Sequence, residues 1–291
     1  MASRGQLTIF IILGIIILFS IGIALYLGGK VKMPTAAPPS EEGLTDYVTT
    51  CLQQTAELAT YLTASQGGYL NPRGETKYGE PGDGYPDKQH YFLEVWALPY
   101  VLDKNKIALR NTNEMEKMMA NYILVEMPQC LNFTEWEKKG YVIIQPNINY
   151  ETIGFDFSKT TVDYSEKTVK AEVIIRDADI VLSLTYPLQL SRGKGSIKVE
   201  DYATTIPLRF GTLQKTAKKL LENIARANEY KINEHCSEYA SPDKMVNIYF
   251  TDNPLAQEYL IKIIDVSIQN KPPLKYQFAI KNQKVSGECV G

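Results

Sequence analysis

The chain has 291 residues, 44% of them hydrophobic and 22% charged, with a formal net charge of −2. That balance argues against a nucleic-acid partner, because neutralising phosphate takes a basic excess. It also argues against a polybasic role at a membrane surface.

The chain opens with a leader of residues 1–6. Leu7 to Leu27 then forms an apolar run without a single charge. Wound as a helix, such a run spans roughly 31 Å at about 1.5 Å per residue, the thickness of a bilayer's hydrocarbon core. A cleaved secretory signal usually has only about 7–15 apolar residues and a small-residue site close behind. Here Ala36-Ala37 lies beyond Lys30 and Lys32, no lipidation cysteine follows, and there is no twin arginine. The expectation is therefore a retained transmembrane helix over 7–27. Charge does not orient it, since Arg4 precedes the run and Lys30 and Lys32 follow it.

Ser3-Arg4-Gly5-Gln6, placed directly before the apolar run, resembles the class III (prepilin-type) signal of archaeal pilins and archaeal flagellins. A similar Arg-Gly-Gln leader opens uncharacterised membrane-anchored surface proteins of small-genome archaea. In some of these a cysteine-bearing helix ending in Gln-Gly-Gly-Tyr follows, as Cys51 and Gln66-Gly67-Gly68-Tyr69 do here. The resemblance implies a peptidase cut between Gly5 and Gln6 and a domain displayed outside the cell.

Residues 28–43, GGKVKMPTAAPPSEEG, read as a linker that breaks any helix continuing from the membrane. From Leu44 the pattern turns helical: Leu44, Tyr47, Val48, Cys51, Leu52, Leu58, Ala59 and Leu62 fall three and four residues apart. Gly67-Gly68 is the expected C-cap, and the Gln-Gly-Gly-Tyr motif is read as that cap rather than a ligand site. Residues 71–88 form a polar loop. Glu80, Asp83 and Asp87 carry ligand chemistry for Ca²⁺, but their spacing is not that of an EF-hand, so the loop is read as solvated. Tyr91 to Leu102 is apolar enough to be largely buried. Residues 113–129 are predicted as a second helix whose Met115, Met118, Met119 and Met127 fill the core.

The middle of the chain reads as β. Ile153, Phe155 and Phe157 alternate with small or polar residues, as do Val169, Ala171 and Val173. Ile180, Leu182, Leu184 and Tyr186 continue after a turn at Arg176-Asp177-Ala178, and Ile197 and Val199 follow Ser191–Gly195. Period-two runs with short turns predict an antiparallel meander with one wet face. Residues 207–230 form a third helix, apolar along Phe210, Leu213, Ala217, Leu220, Leu221 and Ile224, with Lys215, Lys218 and Lys219 on a solvated face. Strands return at 246–250, 259–266 and 276–280.

The four cysteines, Cys51, Cys130, Cys236 and Cys289, are an even set compatible with two disulfides, and three connectivities are open. Cys236 is the first choice of partner for Cys289 in the polar tail, which leaves Cys51 and Cys130 to join two helices. Asn132-Phe133-Thr134 is a glycosylation sequon. These features and the leader favour an extracellular C-terminal domain.

Catalytic signatures are scarce. Two histidines, His90 and His235, are present, and His235 abuts Cys236, but adjacency in sequence does not make a Cys–His pair. No nucleophile elbow, zinc-protease motif, phosphate loop or Cys-x-x-Cys occurs. No catalytic, cofactor-binding or metal residue is assigned.

The expected fold class is α+β: a transmembrane helix, then an extracellular domain over 44–291 of antiparallel sheet with packed helices. A helical part over 44–140 and a β-rich part over 141–291 are the expected subdivisions. The function expected is that of a single-pass cell-surface protein with a structural, adhesive or binding role and no catalysis. Its partners would be the bilayer through 7–27 and a protein or cell-envelope surface. The alternative is an archaeal pilin-like filament subunit, packing helix on helix through Gly14, Ser20, Gly22 and Ala24. A further alternative is an extracellular hydrolase, which needs convergent carboxylates or a free Cys–His pair.

Overall fold

The apolar spacing from Leu44 winds into helix α1 (Glu41–Ser65) in a computed structural model. It describes residues 41–70, 90–93, 96–146, 161–164, 167–239, 246–253, 258–267 and 271–290. The leader, the apolar run 7–27 and almost all of the linker lie outside these residues. So do the carboxylates Glu80, Asp83 and Asp87 and the run Ile153–Phe157. Among the described residues no helix is long and apolar enough to cross a membrane.

The buried arc of α1 turns as it climbs. Leu44, Tyr47, Val48, Cys51 and Leu52 are buried in the first half, and Ala56, Ala59, Thr60 and Thr63 in the second, while Leu58 is 52% exposed. Leu58 thus leaves the apolar face predicted for it. The cause is a change of neighbour: the first half meets the end of a second helix through Cys51–Cys130, and the second half meets a sheet through Gln277 Nε2, which donates to Ser65 O at 2.7 Å. The helix ends in a Schellman motif. Gly67 N–H reaches Ala64 O at 3.3 Å, Gly68 N–H reaches Thr63 O at 2.8 Å, and Gly67 takes φ +66°.

Strands β1 (His90–Leu93), β2 (Trp96–Asp103) and β3 (Lys106–Ile107) follow. Leu98, Val101 and Leu102 are buried, as the apolar run required. Helix α2 (Thr112–Cys130) opens on a capping box between Asn111 and Glu114 and buries Met115, Met118, Met119 and Met127. A short α3 (Thr134–Lys138) sets Trp136 into the core, and β4 (Val142–Ile144) comes after it.

Of the predicted meander, three strands are present as β6 (Lys167–Ile175), β7 (Ile180–Arg192) and β8 (Gly195–Ile206), joined by an unpredicted β5 (Thr161–Tyr164), all antiparallel. Inward Val169, Ala171, Val173, Ile180, Leu182 and Leu184 are buried, and the outer face carries Lys170, Glu172, Ser183, Thr185 and Asp201. Pro187, which has no N–H to give, lies where the β7–β8 register slips between Thr185 and Leu188. There β7 also changes partner: β6 flanks it up to Thr185, and β4 flanks it from Gln189 to Ser191.

Helix α4 (Phe210–Arg226) buries the predicted apolar face and exposes Lys215, Lys218 and Lys219. Next come β9 (Tyr230–Lys231), a 3₁₀ turn (Ile232–His235) and α5 (Cys236–Tyr239). The chain closes with β10 (Val246–Asn253), β11 (Glu258–Asp265), β12 (Leu274–Lys281) and β13 (Val285–Ser286).

A second sheet runs β1-β2-β12-β11-β10, with β3 on β2, and a small ribbon pairs β13 with β9. Within this sheet only β2 and β12 are parallel among the described pairs. That pair ties residues 96–103 to 274–281, so hydrogen bonding crosses the expected boundary between 44–140 and 141–291. Helix α1 packs on both β8 and β12, α2 on β6, and α4 on β11 and β12. One buried cluster runs through all of them.

Candidate functional site

The parallel strands β2 and β12 end side by side, with Asp103 opposite Lys281. Beyond that point β2 turns through Lys104-Asn105 into β3, and β12 runs into Asn282 and Gln283. A cavity of about 390 Å³ opens between them, lined by Tyr100, Asp103, Lys104, Asn105, Lys106 and Lys281 among others.

Its charged groups are fixed from below. Lys281 Nζ lies 3.3 Å from Asp103 Oδ2 and 5.0 Å from the centre of the Tyr100 ring. Asn282 Nδ2 donates to Asp103 Oδ1 at 2.7 Å. That hydrogen bond, helped by Lys281, holds the Asp103 carboxyl below the usual carboxylate range. Tyr100 Oη donates to Glu258 Oε1 at 2.6 Å, and buried Gln283 donates to Lys104 O. Among the described residues two non-glycines take a left-handed φ: Lys104 (+52°) and Asn282 (+57°). Both belong to this corner. The first position of a two-residue hairpin turn with positive φ is normally held by Gly, Asn or Asp, so Lys104 sits where a lysine is disfavoured.

Cysteines pair as the first choice had it: Cys51 with Cys130 between α1 and α2, and Cys236 with Cys289 between α5 and the tail. His235 does lie beside Cys236, but that sulfur is bonded to Cys289, so no thiolate is available there for a Cys–His mechanism. His235 instead stacks on Tyr230, with ring centres 4.9 Å apart, and its Nδ1 is hydrogen-bonded to Glu238 Oε1 at 2.7 Å. This bond pulls the Glu238 carboxyl below its usual range. Asn223 Nδ2 donates to Glu238 Oε2 at 3.2 Å and Tyr239 Oη at 2.8 Å, while the Tyr230 and Tyr239 hydroxyls bond one another. Burial pushes the Tyr239 phenol above its usual range. These hydrogen bonds join α4, the 3₁₀ turn and α5 beside the disulfide-linked tail. The side chain of His90 lies outside the described residues.

Asn132 is exposed, its Oδ1 accepting the Thr134 N–H at 3.0 Å, so the sequon asparagine stands at the surface. Tyr69, which closes the Gln-Gly-Gly-Tyr motif, is buried under the Arg110 guanidinium at 4.2 Å from its ring. Gly68 presses against the Tyr276 hydroxyl and Met115 Sδ, so the whole motif serves as cap and packing. Gly5 and Gln6 lie outside the described residues. Among the described residues no group of three His, Cys, Asp or Glu side chains could hold a metal. The residues of the cavity carried no mark in the sequence, because neither the left-handed φ of Lys104 nor the pairing of Asp103 with Lys281 follows a local pattern. No known protein family, curated protein or solved structure matches this chain.

Proposed function

We propose that the chain is a single-pass, membrane-anchored cell-surface protein whose extracellular α+β domain has a structural, adhesive or binding role. The observation that carries this reading is the state of the cysteines. All four form disulfides with a Cα–Cα separation of 5.8 or 5.4 Å, within the range that bridging needs. Disulfides persist in oxidising surroundings and are rare where glutathione keeps thiols reduced. The apolar run 7–27 supplies a membrane anchor, and the exposed Asn132 suits a domain that meets the glycosylation machinery.

Intact mass of the protein from its native membrane, with and without reductant, tests the reading. Resistance of all four thiols to alkylation before reduction supports it; alkylation of all four without reduction would sink it. The same spectra examine the filament alternative, which rests on the Arg4-Gly5-Gln6 leader. Loss of Met1–Gly5 would favour a pilin-like subunit, and retention of Met1 a plain anchor.

A further inference from the structure

We propose that Asn132 is an N-glycosylation site, and that its glycan is attached before the Cys51–Cys130 disulfide closes. The proposal rests on the extracellular reading above, because the modification needs the compartment in which glycans are transferred.

The acceptor chemistry stands at the surface. In Asn132-Phe133-Thr134 the asparagine and the threonine are exposed, while the phenylalanine between them is only 6% exposed. Asn132 Oδ1 accepts the Thr134 N–H at 3.0 Å, and Asn132 Nδ2 makes no hydrogen bond among the described residues. Nδ2 is the atom that reacts. It attacks the anomeric carbon of an oligosaccharide carried on a lipid phosphate. An N–C bond forms and the bond from that carbon to the phosphate oxygen breaks. The lipid phosphate leaves with the electron pair, and the amide gives one proton to a base of the transferase. A bulky, solvated product is accommodated at an exposed side chain.

The same residues are not easily lifted out of the closed domain. The Asn132 N–H donates to Tyr47 Oη at 2.7 Å, and that hydroxyl donates to Asn132 O at 3.0 Å, so one side chain of α1 holds the backbone on both sides of the asparagine. Two residues earlier, Cys130 is bonded to Cys51 of the same helix. One residue later, Phe133 sits edge-on to Tyr47 and Trp136, with centroids 5.7 and 6.5 Å away. Its carbonyl accepts the Trp136 and Glu137 N–H groups at the start of α3. A transferase has to draw the asparagine amide into its own active site, with the chain on either side pulled clear. Here that breaks both Tyr47 bonds, exposes Phe133 and works against the bridge. The open chain carries none of these restraints. Transfer therefore belongs to the open chain, and closure of the bridge ends it.

The test has two parts. Peptide mass spectrometry of the full-length protein from its native membrane is expected to find a sugar mass on the peptide that holds Asn132, and none in N132Q. Full-length protein made in a host without N-glycosylation is then incubated with native membranes, which supply the transferase and its lipid-linked donor. It is offered in two forms: oxidised, and reduced in urea then diluted into the assay. Transfer to the oxidised form is expected to be slower by about tenfold or more, because only its opened fraction is a substrate. A bare Asn132 in native protein whose four thiols resist alkylation would overturn the modification and leave the surface reading standing. A bare Asn132 beside four free thiols would overturn both. Equal transfer to the oxidised and reduced forms would overturn the order of events.

Discussion

The Tyr276 hydroxyl is fully buried and has no hydrogen-bond partner among the described residues, and burial drives its phenol well above the usual range. Burying a hydroxyl without a partner opposes folding by about 1–3 kcal/mol, whereas the ring around it is favourable core. The ring sits against Phe210 and Phe278, with centroids 5.8 and 6.1 Å away. Tyr276→Phe keeps these contacts and removes only the unpaired oxygen. It is expected to stabilise the protein by about 1 kcal/mol, read as a higher urea midpoint at unchanged slope. A lower midpoint would mean that the oxygen is satisfied by a bound water. The oxygen also explains the adjoining glycine. A Cβ on Gly68 would lie 3.0 Å from it, at φ +94°, so this second glycine of the motif answers to packing as well as to the cap.

At the scale of elements, the two disulfides do different work. Cys51–Cys130 closes a separation of 79 residues and locks the first half of α1 to the end of α2, while Cys236–Cys289 closes 53 and pins α5 to the tail. In the chain-entropy account a loop of the first size is worth about 4 kcal/mol. C51A/C130A is therefore expected to lose about that much stability in urea unfolding, with the tail still bridged. A loss under about 1 kcal/mol would show that the unfolded chain already holds the two helices together. The elements themselves were largely legible. Phe210, Leu213, Ala217, Leu220, Leu221 and Ile224 keep a helical period, and Val169 to Val173 and Ile180 to Tyr186 keep a strand period, because each packs one face on the core throughout. Leu58 misled because α1 changes neighbours midway and its buried arc rotates with them. The type of Trp96–Asp103 was not legible either, since a short apolar run fits strand or helix equally well. The cavity was the least legible feature. It depends on a strand partner 178 positions away, Asp103 against Lys281, and on one dihedral of Lys104.

For the molecule as a whole, the decisive contact is β2 against β12. It places a strand from the first half of the chain against β12, in one sheet with β11 and β10 from the last third. Helix α1 then packs on both sheets, so the burial of Leu44 to Thr63 depends on β8 and β12 together. Neither a 44–140 part nor a 141–291 part would keep its core if the other unfolded: the first would strip β2 of its partner, and the second would leave β12 open on one edge. Such coupling predicts one cooperative transition. Calorimetry of the oxidised protein is expected to give a single endotherm whose van't Hoff and calorimetric enthalpies agree. Two resolved endotherms would mean that the β5–β8 meander and the β10–β12 sheet melt separately despite α1. A variant with proline at Phe278, in the middle of β12, discriminates further. Phe278 lies opposite Ile261 of β11, and a proline there has no N–H to give to the ladder. With one cooperative unit, the loss must appear in the meander as well: the whole transition should move down together, by about 3 kcal/mol or more, and no intact β5–β8 plateau should remain.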